Sequence, residues 1–99
     1  MVYYDLPDGR KLSISCTQAS HEQINESPSI LSETKVCEWI YYAHLSGDYE
    51  QVNEDRYRIN PITCYCHRRY AIEIIYCKKS EDESFLEFLV LHVHKRPIY

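Results

Sequence analysis

The sequence is short of glycine and has no long apolar run. Only two of its 99 residues are glycine. Neither Gly9 nor Gly47 lies in a phosphate loop or a dinucleotide-binding fingerprint, both of which need glycines where backbone N–H groups approach phosphate. No uncharged apolar run approaches the roughly 20 residues of a bilayer span, and residues 1–5 lack the basic-then-apolar start of a signal peptide. We therefore disfavour nucleotide-binding enzymes and expect an intracellular chain that binds no membrane.

The charge is moderately acidic and unevenly distributed. The net charge is −4, with 11 basic and 15 acidic residues. Residues 1–50 carry three Lys or Arg and eight Asp or Glu, whereas residues 51–99 carry eight and seven. This balance argues against a protein held to nucleic acid mainly by bulk charge. The length predicts a single domain covering residues 1–99.

The first quarter of the chain predicts a hairpin followed by a surface connection. Residues 2–5 and 10–16 flank a turn in which Pro7 presets φ and Gly9 can take a positive φ. In the second arm the apolar side chains alternate with polar ones, as in a half-buried strand. Residues 17–27 are polar and have little to bury, so we expect them to form a surface connection.

One helix is predicted in the middle of the chain. Ser29 or Ser32 can cap its start, and Gly47 can end it after Ser46 in the left-handed conformation. Four apolar residues fall on one side at helical spacing and predict the core face, namely Val36, Trp39, Ile40 and Ala43.

The second half predicts strands. Residues 48–60 indicate a weak hairpin, and residues 62–67 and 70–77 alternate between two faces. Residues 85–93 are apolar on both faces, which fits a strand but leaves a helix open. We therefore predict an α+β fold: an antiparallel β-sheet of hairpins with one main α-helix packed on one face.

The cysteines and histidines do not form a recognisable metal or catalytic motif. The cluster of Cys64, Cys66, His67 and Cys77 with two later histidines matches no common zinc spacing, and five cysteines cannot all pair. Whether any of them form disulfides stays open. We expect no metal, no cofactor, no catalytic residue and no enzymatic activity.

Two sets of residues are candidates for binding a partner. Tyr41, Tyr42 and Leu45 lie beside the core face of the predicted helix, and tyrosine contributes a large contact area with few rotatable bonds. This set predicts contact with another protein, either a different chain or a second copy in a homodimer.

The alternative is a single-stranded nucleic-acid site. Arg68 and Arg69 are adjacent to Tyr65 and Tyr70, and such sites combine arginines that hold phosphates with aromatics that stack on bases. The opposing interpretation is that the arginines form a hairpin tip while the tyrosines fill the core.

Residues 1–11 (MVYYDLPDGRK) and 64–77 (CYCHRRYAIEIIYC), with the bias toward tyrosine and isoleucine, resemble a group of small proteins from crenarchaeal filamentous and rod-shaped viruses. The resemblance extends over all 99 residues. It implies a heat-stable accessory protein that acts in the host-cell cytoplasm by binding a host or viral protein, with components of host defence among the candidate partners. It carries no catalytic residue to this chain.

Overall fold

The computed structural model describes residues 1–99 and contains a seven-stranded mixed sheet with two helices. Neither helix is both long and apolar enough to span a bilayer. The elements in chain order are β1 (Val2–Asp5), β2 (Lys11–Cys16), α1 (Gln18–Asn25), α2 (Glu33–Ser46), β3 (Glu50–Gln51), β4 (Arg56–Ile59), β5 (Ile62–Tyr65), β6 (Arg68–Glu81) and β7 (Phe85–Ile98).

The sheet is built around the long β6–β7 hairpin. Its strand order is β1-β2-β7-β6-β4-β3, and β5 pairs with the part of β6 that β4 leaves free. The α+β class is confirmed, but the purely antiparallel sheet is wrong because β2 runs parallel to β7. Turn signals in a sequence indicate the relative direction only of strands that follow each other in the chain. The chain between β2 and β7 contains both helices and the strands β3 to β6, and a connection of this length permits parallel pairing.

The predicted β1–β2 hairpin is confirmed. The N–H of Leu6 donates to the carbonyl of Arg10 over 2.9 Å, and Gly9 has a φ of 92°. The β2 side chains Leu12 and Ile14 are fully buried beneath the helices. The turn residues therefore determine the local register of this first hairpin, as expected.

Helix α2 begins and ends where the sequence predicts. The Ser32 hydroxyl accepts a hydrogen bond from the N–H of Lys35, and Gly47 closes the helix at a φ of 80°. Three of the four predicted core residues are buried, whereas Trp39 is only half-buried. The buried residues of α2 are Val36, Cys37, Ile40 and Ala43.

A second helix, α1, lies in the segment that we expected to be a surface connection, so the prediction of a single helix is only loosely met. Its hydroxyl cap is Thr17, and Ile24 is fully buried. The pairing of β2 with β7 stops at Cys16, and α1 then covers the remaining edge of β7. The Ser20 hydroxyl donates to the carbonyl of Val90 over 2.9 Å.

Further along the same edge, the N–H of Val93 donates to Gln23 Oε1 over 2.8 Å. Side chains of α1 thus take the hydrogen-bonding role that a neighbouring strand would have, which protects an otherwise open sheet edge. The eight residues of α1 contain only two apolar ones, Ala19 and Ile24, and two residues five positions apart give no helical period, so the sequence did not reveal α1.

The last long segment is a strand and not a helix, which resolves the alternative left open for residues 85–93. β6 and β7 are each 14 residues long, and a register shift follows Ile75. The inner face of this hairpin forms the centre of the core. Its buried side chains include Ile72, Ile74, Tyr76, Phe88, Val90 and Val93.

Candidate functional site

The Tyr41 side chain makes contacts within the molecule. Its ring stacks on that of Tyr4 with centroids 4.4 Å apart, and its hydroxyl donates to the carbonyl of Asp5 over 2.9 Å. These contacts hold α2 against β1. The Tyr4 hydroxyl is buried without a hydrogen-bond partner, and burial raises the pKa of Tyr4 to about 12. Tyr41 therefore positions the helix and offers only part of its ring to a partner.

Tyr42 and Leu45 lie on the outer surface of α2. They are 61% and 43% exposed and stand one helical turn apart. Tyr42 borders an open groove of about 300 Å³ between α2 and the segment that joins β4 to β5. Its lining includes Trp39, Tyr42, Asp48, Ile59 and Pro61.

This groove has the composition of a protein-contact surface. Aromatic side chains line one wall, and Asp48 is the only charged residue in the lining. Lys35 lies over the Trp39 ring, with Nζ 5.2 Å from its centroid, at the outer end of the same helix face. Of the three predicted contact residues, two are thus at the surface, and the structure adds Trp39 to them.

The four residues of the predicted nucleic-acid site do not share one surface. Arg68 and Arg69 are both exposed, but successive residues in a strand point to opposite faces of the sheet. Tyr65 pairs with Arg68 and is 51% exposed, so these two lie together. Tyr70 is only 8% exposed and packs in the core, which removes its ring from any stacking surface.

A basic group on the outer sheet face was missed in the sequence. The pairing of β6 with β7 places Arg96 opposite Ala71, diagonally next to Arg69. Neither arginine makes an ion pair, and His94 follows on the same face. Because 27 residues separate Arg69 from Arg96 in the chain, only the register of the hairpin could have revealed their proximity.

Neighbouring charges on this outer face are partly neutralised. Arg58 donates to both carboxylate oxygens of Glu50, at 2.7 and 2.9 Å, and lies 3.9 Å from Glu73. These contacts raise the pKa of Arg58, the hydrogen bonds to Glu50 contributing most. Arg69 and Arg96, in contrast, have no carboxylate partner.

The histidine of α2, His44, lies among aromatic rings. Its Nε2 is 2.6 Å from the Tyr76 hydroxyl, and its ring stacks on that of Tyr49 with centroids 4.2 Å apart. Burial lowers the pKa of His44 to about 4 and raises that of Tyr76, so both groups are neutral at pH 7. Tyr76 then donates to His44. The hydrogen bond satisfies the buried Tyr76 hydroxyl and the partly buried His44 ring.

The three cysteines that were considered as metal ligands are dispersed. Cys64 and Cys66 are exposed on the β5–β6 hairpin, whereas Cys77 is half-buried on β6. No three His, Cys, Asp or Glu side chains are arranged to hold a metal ion.

The other two cysteines pack at the core, where Cys37 is buried and Cys16 is half-buried at its border. Close to the surface, His21 and Asn25 of α1 and Glu33 of α2 form a hydrogen-bonded group. Glu33 Oε1 accepts a hydrogen bond from His21 Nδ1 over 2.6 Å, and Asn25 donates to His21 Nε2 over 3.2 Å. None of the three cavities is lined by this cluster.

The chain matches no protein family, no curated protein and no solved structure.

Proposed function

We propose that this chain is a non-enzymatic protein that acts by binding another protein through the outer surface of α2. The observation that carries the proposal is the exposed Tyr42 beside a groove of about 300 Å³. A solvent-exposed tyrosine next to an apolar depression is typical of a binding hot spot, where truncation costs about 2 kcal/mol or more. The sequence resemblance supports an accessory role in the host cell of a crenarchaeal virus.

The composition of the groove defines the kind of partner segment that it fits. Trp39, Ile59 and Pro61 offer apolar contact, and Asp48 is the single charge. A partner that inserts one apolar side chain and places a Lys or Arg next to Asp48 would complement this surface.

The test compares two tyrosines with equal exposure. Tyr42 and Tyr3 are each 61% exposed, but Tyr3 lies on β1, away from the groove. The tagged chain should capture a defined protein from infected host cells, or form a dimer in size-exclusion chromatography with light scattering. Tyr42→Ala should weaken this association about 30-fold, and Tyr3→Ala should leave it unchanged. A strict monomer that retains no protein, or equal retention by both variants, would refute the proposal.

Single-stranded nucleic-acid binding is the second candidate, and the unpaired Arg69 and Arg96 on one face favour it. Fluorescence polarisation with a labelled oligonucleotide at two salt concentrations tests it. Replacing both arginines by alanine should reduce the slope of log Kd against log salt concentration by about 0.7 for each phosphate contact removed. Arg68→Ala, on the opposite face, is the matched control. Binding without salt dependence, or unaffected by Arg69→Ala with Arg96→Ala, excludes this function.

A further inference from the structure

The outer sheet face, which carries Arg69 and Arg96, is not covered by any other part of the chain. Both helices and the inner sheet face share one buried core, and no residue of the outer face belongs to it. Three apolar residues nevertheless lie at the centre of the outer face, because Cys77 pairs with Leu89 and Ile75 precedes Cys77 by two positions. Each of the three is only half-buried. This apolar centre is therefore open to contact with another molecule.

The long β6–β7 hairpin carries opposite charges at its two ends. Residues 78–87, at the closed tip, contain four acidic and two basic side chains. Residues 68–71 and 94–98, at the open end, contain four basic side chains and no acidic one. The hairpin is thus acidic on one side of the apolar centre and basic on the other.

Two of these charges lie on the outer face of the same strand. Glu87 follows the buried Leu86 and points outward, as Arg96 does. They are nine residues apart, or about 30 Å along β7 at the rise of a strand, and the apolar centre lies between them. Neither makes an ion pair, and the same is true of Arg69 at the open end and Glu83 in the hairpin tip.

We propose that two copies of this chain associate through their outer sheet faces, related by a two-fold axis that lies between the two sheets and perpendicular to the strands. This axis reverses the strand direction and keeps β7 opposite β7. It brings Arg96 of each copy opposite Glu87 of the other and the two apolar centres onto each other. In a two-fold interface every contact occurs twice, so a face with opposite charges on either side of an apolar centre is complementary to itself.

The outer face is large enough for a stable dimer. β6 and β7 each span 14 residues, and the longest dimension of the molecule is 43 Å. The adjacent strands β2, β7, β6 and β4, at about 4.8 Å spacing, give a width of about 19 Å and a face of about 800 Å² per copy. Stable interfaces bury about this area on each partner. Aligned sheets pack about 10 Å apart, a distance that an arginine and a glutamate can bridge together.

The inferred dimer is independent of the α2 groove, because α2 packs on the inner side of the sheet. A monomeric chain that binds another protein through α2 would contradict the dimer and leave the proposed function intact. The dimer excludes the second candidate function, since it pairs Arg69 and Arg96 with carboxylates that a nucleic acid would have to displace.

The test is the mass of the full chain in solution, measured by size-exclusion chromatography with light scattering over a range of protein concentrations. The unaltered chain should have twice the single-chain mass of 11.9 kDa. Arg96→Glu and Glu87→Arg each place like charges opposite each other at both ends of the interface, so each should weaken the dimer about 10-fold or more. Arg68→Glu makes the same charge change as Arg96→Glu on the opposite face and should leave the dimer unchanged.

A charge exchange separates loss of the interface from a variant that fails to fold. Arg96→Glu mixed with Glu87→Arg should form a mixed dimer, because both contacts then join opposite charges. The two changes made in one chain should restore the homodimer for the same reason. A variant that cannot fold would show neither effect.

Three results would overturn the proposal. The first is an unaltered chain that stays monomeric. The second is a dimer that Arg96→Glu and Glu87→Arg both retain, including one that Tyr42→Ala abolishes, which would assign the contact to α2. The third is a monomer that binds a labelled oligonucleotide and loses this binding in Arg69→Ala with Arg96→Ala, which would assign the outer face to nucleic acid.

Discussion

The neutral His44 predicts a specific acid sensitivity of the folded state. Its Nε2 accepts the hydrogen bond from Tyr76, and burial lowers the pKa of His44 from 6.5 to about 4. The experiment lowers the pH from 7 to 4 and compares the stability of the unaltered chain with that of His44→Gln. Glutamine can still accept from the Tyr76 hydroxyl but does not take up a proton.

The sign and size follow from proton linkage. In the unfolded chain the histidine binds a proton as the pH falls through 6.5, whereas the folded chain resists protonation until about pH 4. The contribution of His44 to stability is therefore complete above pH 6.5 and is lost between pH 6.5 and 4. The full shift corresponds to about 3 kcal/mol. Because the side chain is only partly buried, screening by solvent reduces the expected loss to about 1–2 kcal/mol.

Urea unfolding at pH 7, 5.5 and 4 measures this effect. The free energy of unfolding of the unaltered chain should fall by about 1–2 kcal/mol more than that of His44→Gln over this range. His94→Gln removes an exposed histidine on the outer sheet face and should keep the pH dependence of the unaltered chain. Carboxylates that titrate in the same range are common to all three chains and cancel in the comparison. Parallel pH profiles for the unaltered chain and His44→Gln would refute the reasoning.

Three further changes test how the fold is held together, each by the free energy of unfolding in urea. Gln23→Ala removes the acceptor for the N–H of Val93 and should lower the free energy of unfolding by about 1–2 kcal/mol, whereas Gln18→Ala, at an exposed position, should lower it by less than about 0.5 kcal/mol. Equal losses for the two variants would contradict the role of α1 in covering the sheet edge. In Gly47→Ala the added Cβ meets no neighbouring atom within 4 Å, so the expected loss of about 1 kcal/mol comes only from the strain of a non-glycine residue at a φ of 80°. An unchanged stability would contradict this backbone strain. Tyr41→Phe should cost about 1 kcal/mol through the lost hydrogen bond to β1, while its ring stacking is retained; an unchanged stability would show that the bond contributes nothing.

The candidate sites were predictable from the sequence only in part. Tyr42 could be placed beside the core face of α2 by helical spacing alone, and it is exposed as expected. The same spacing could not show that Tyr41 stacks on Tyr4, because that contact depends on where β1 lies. Arg68 and Arg69 are adjacent in sequence, yet strand geometry sends them to different faces. Arg96 joins Arg69 only through the pairing of β6 with β7.

The sequence by itself determined the elements whose signals are local: the first hairpin through Pro7 and Gly9, the limits of α2 through Ser32 and Gly47, and the alternating strands of the second half. Only the tertiary structure decided the parallel pairing of β2 with β7, the formation of α1 on the edge of β7, and the proximity of Arg69 to Arg96. The physical reason is that local signals arise from backbone preferences and hydrophobic period within a few residues. Strand direction, edge protection and the grouping of the two arginines depend on segments that are far apart in the chain and are brought together by burial of the common core.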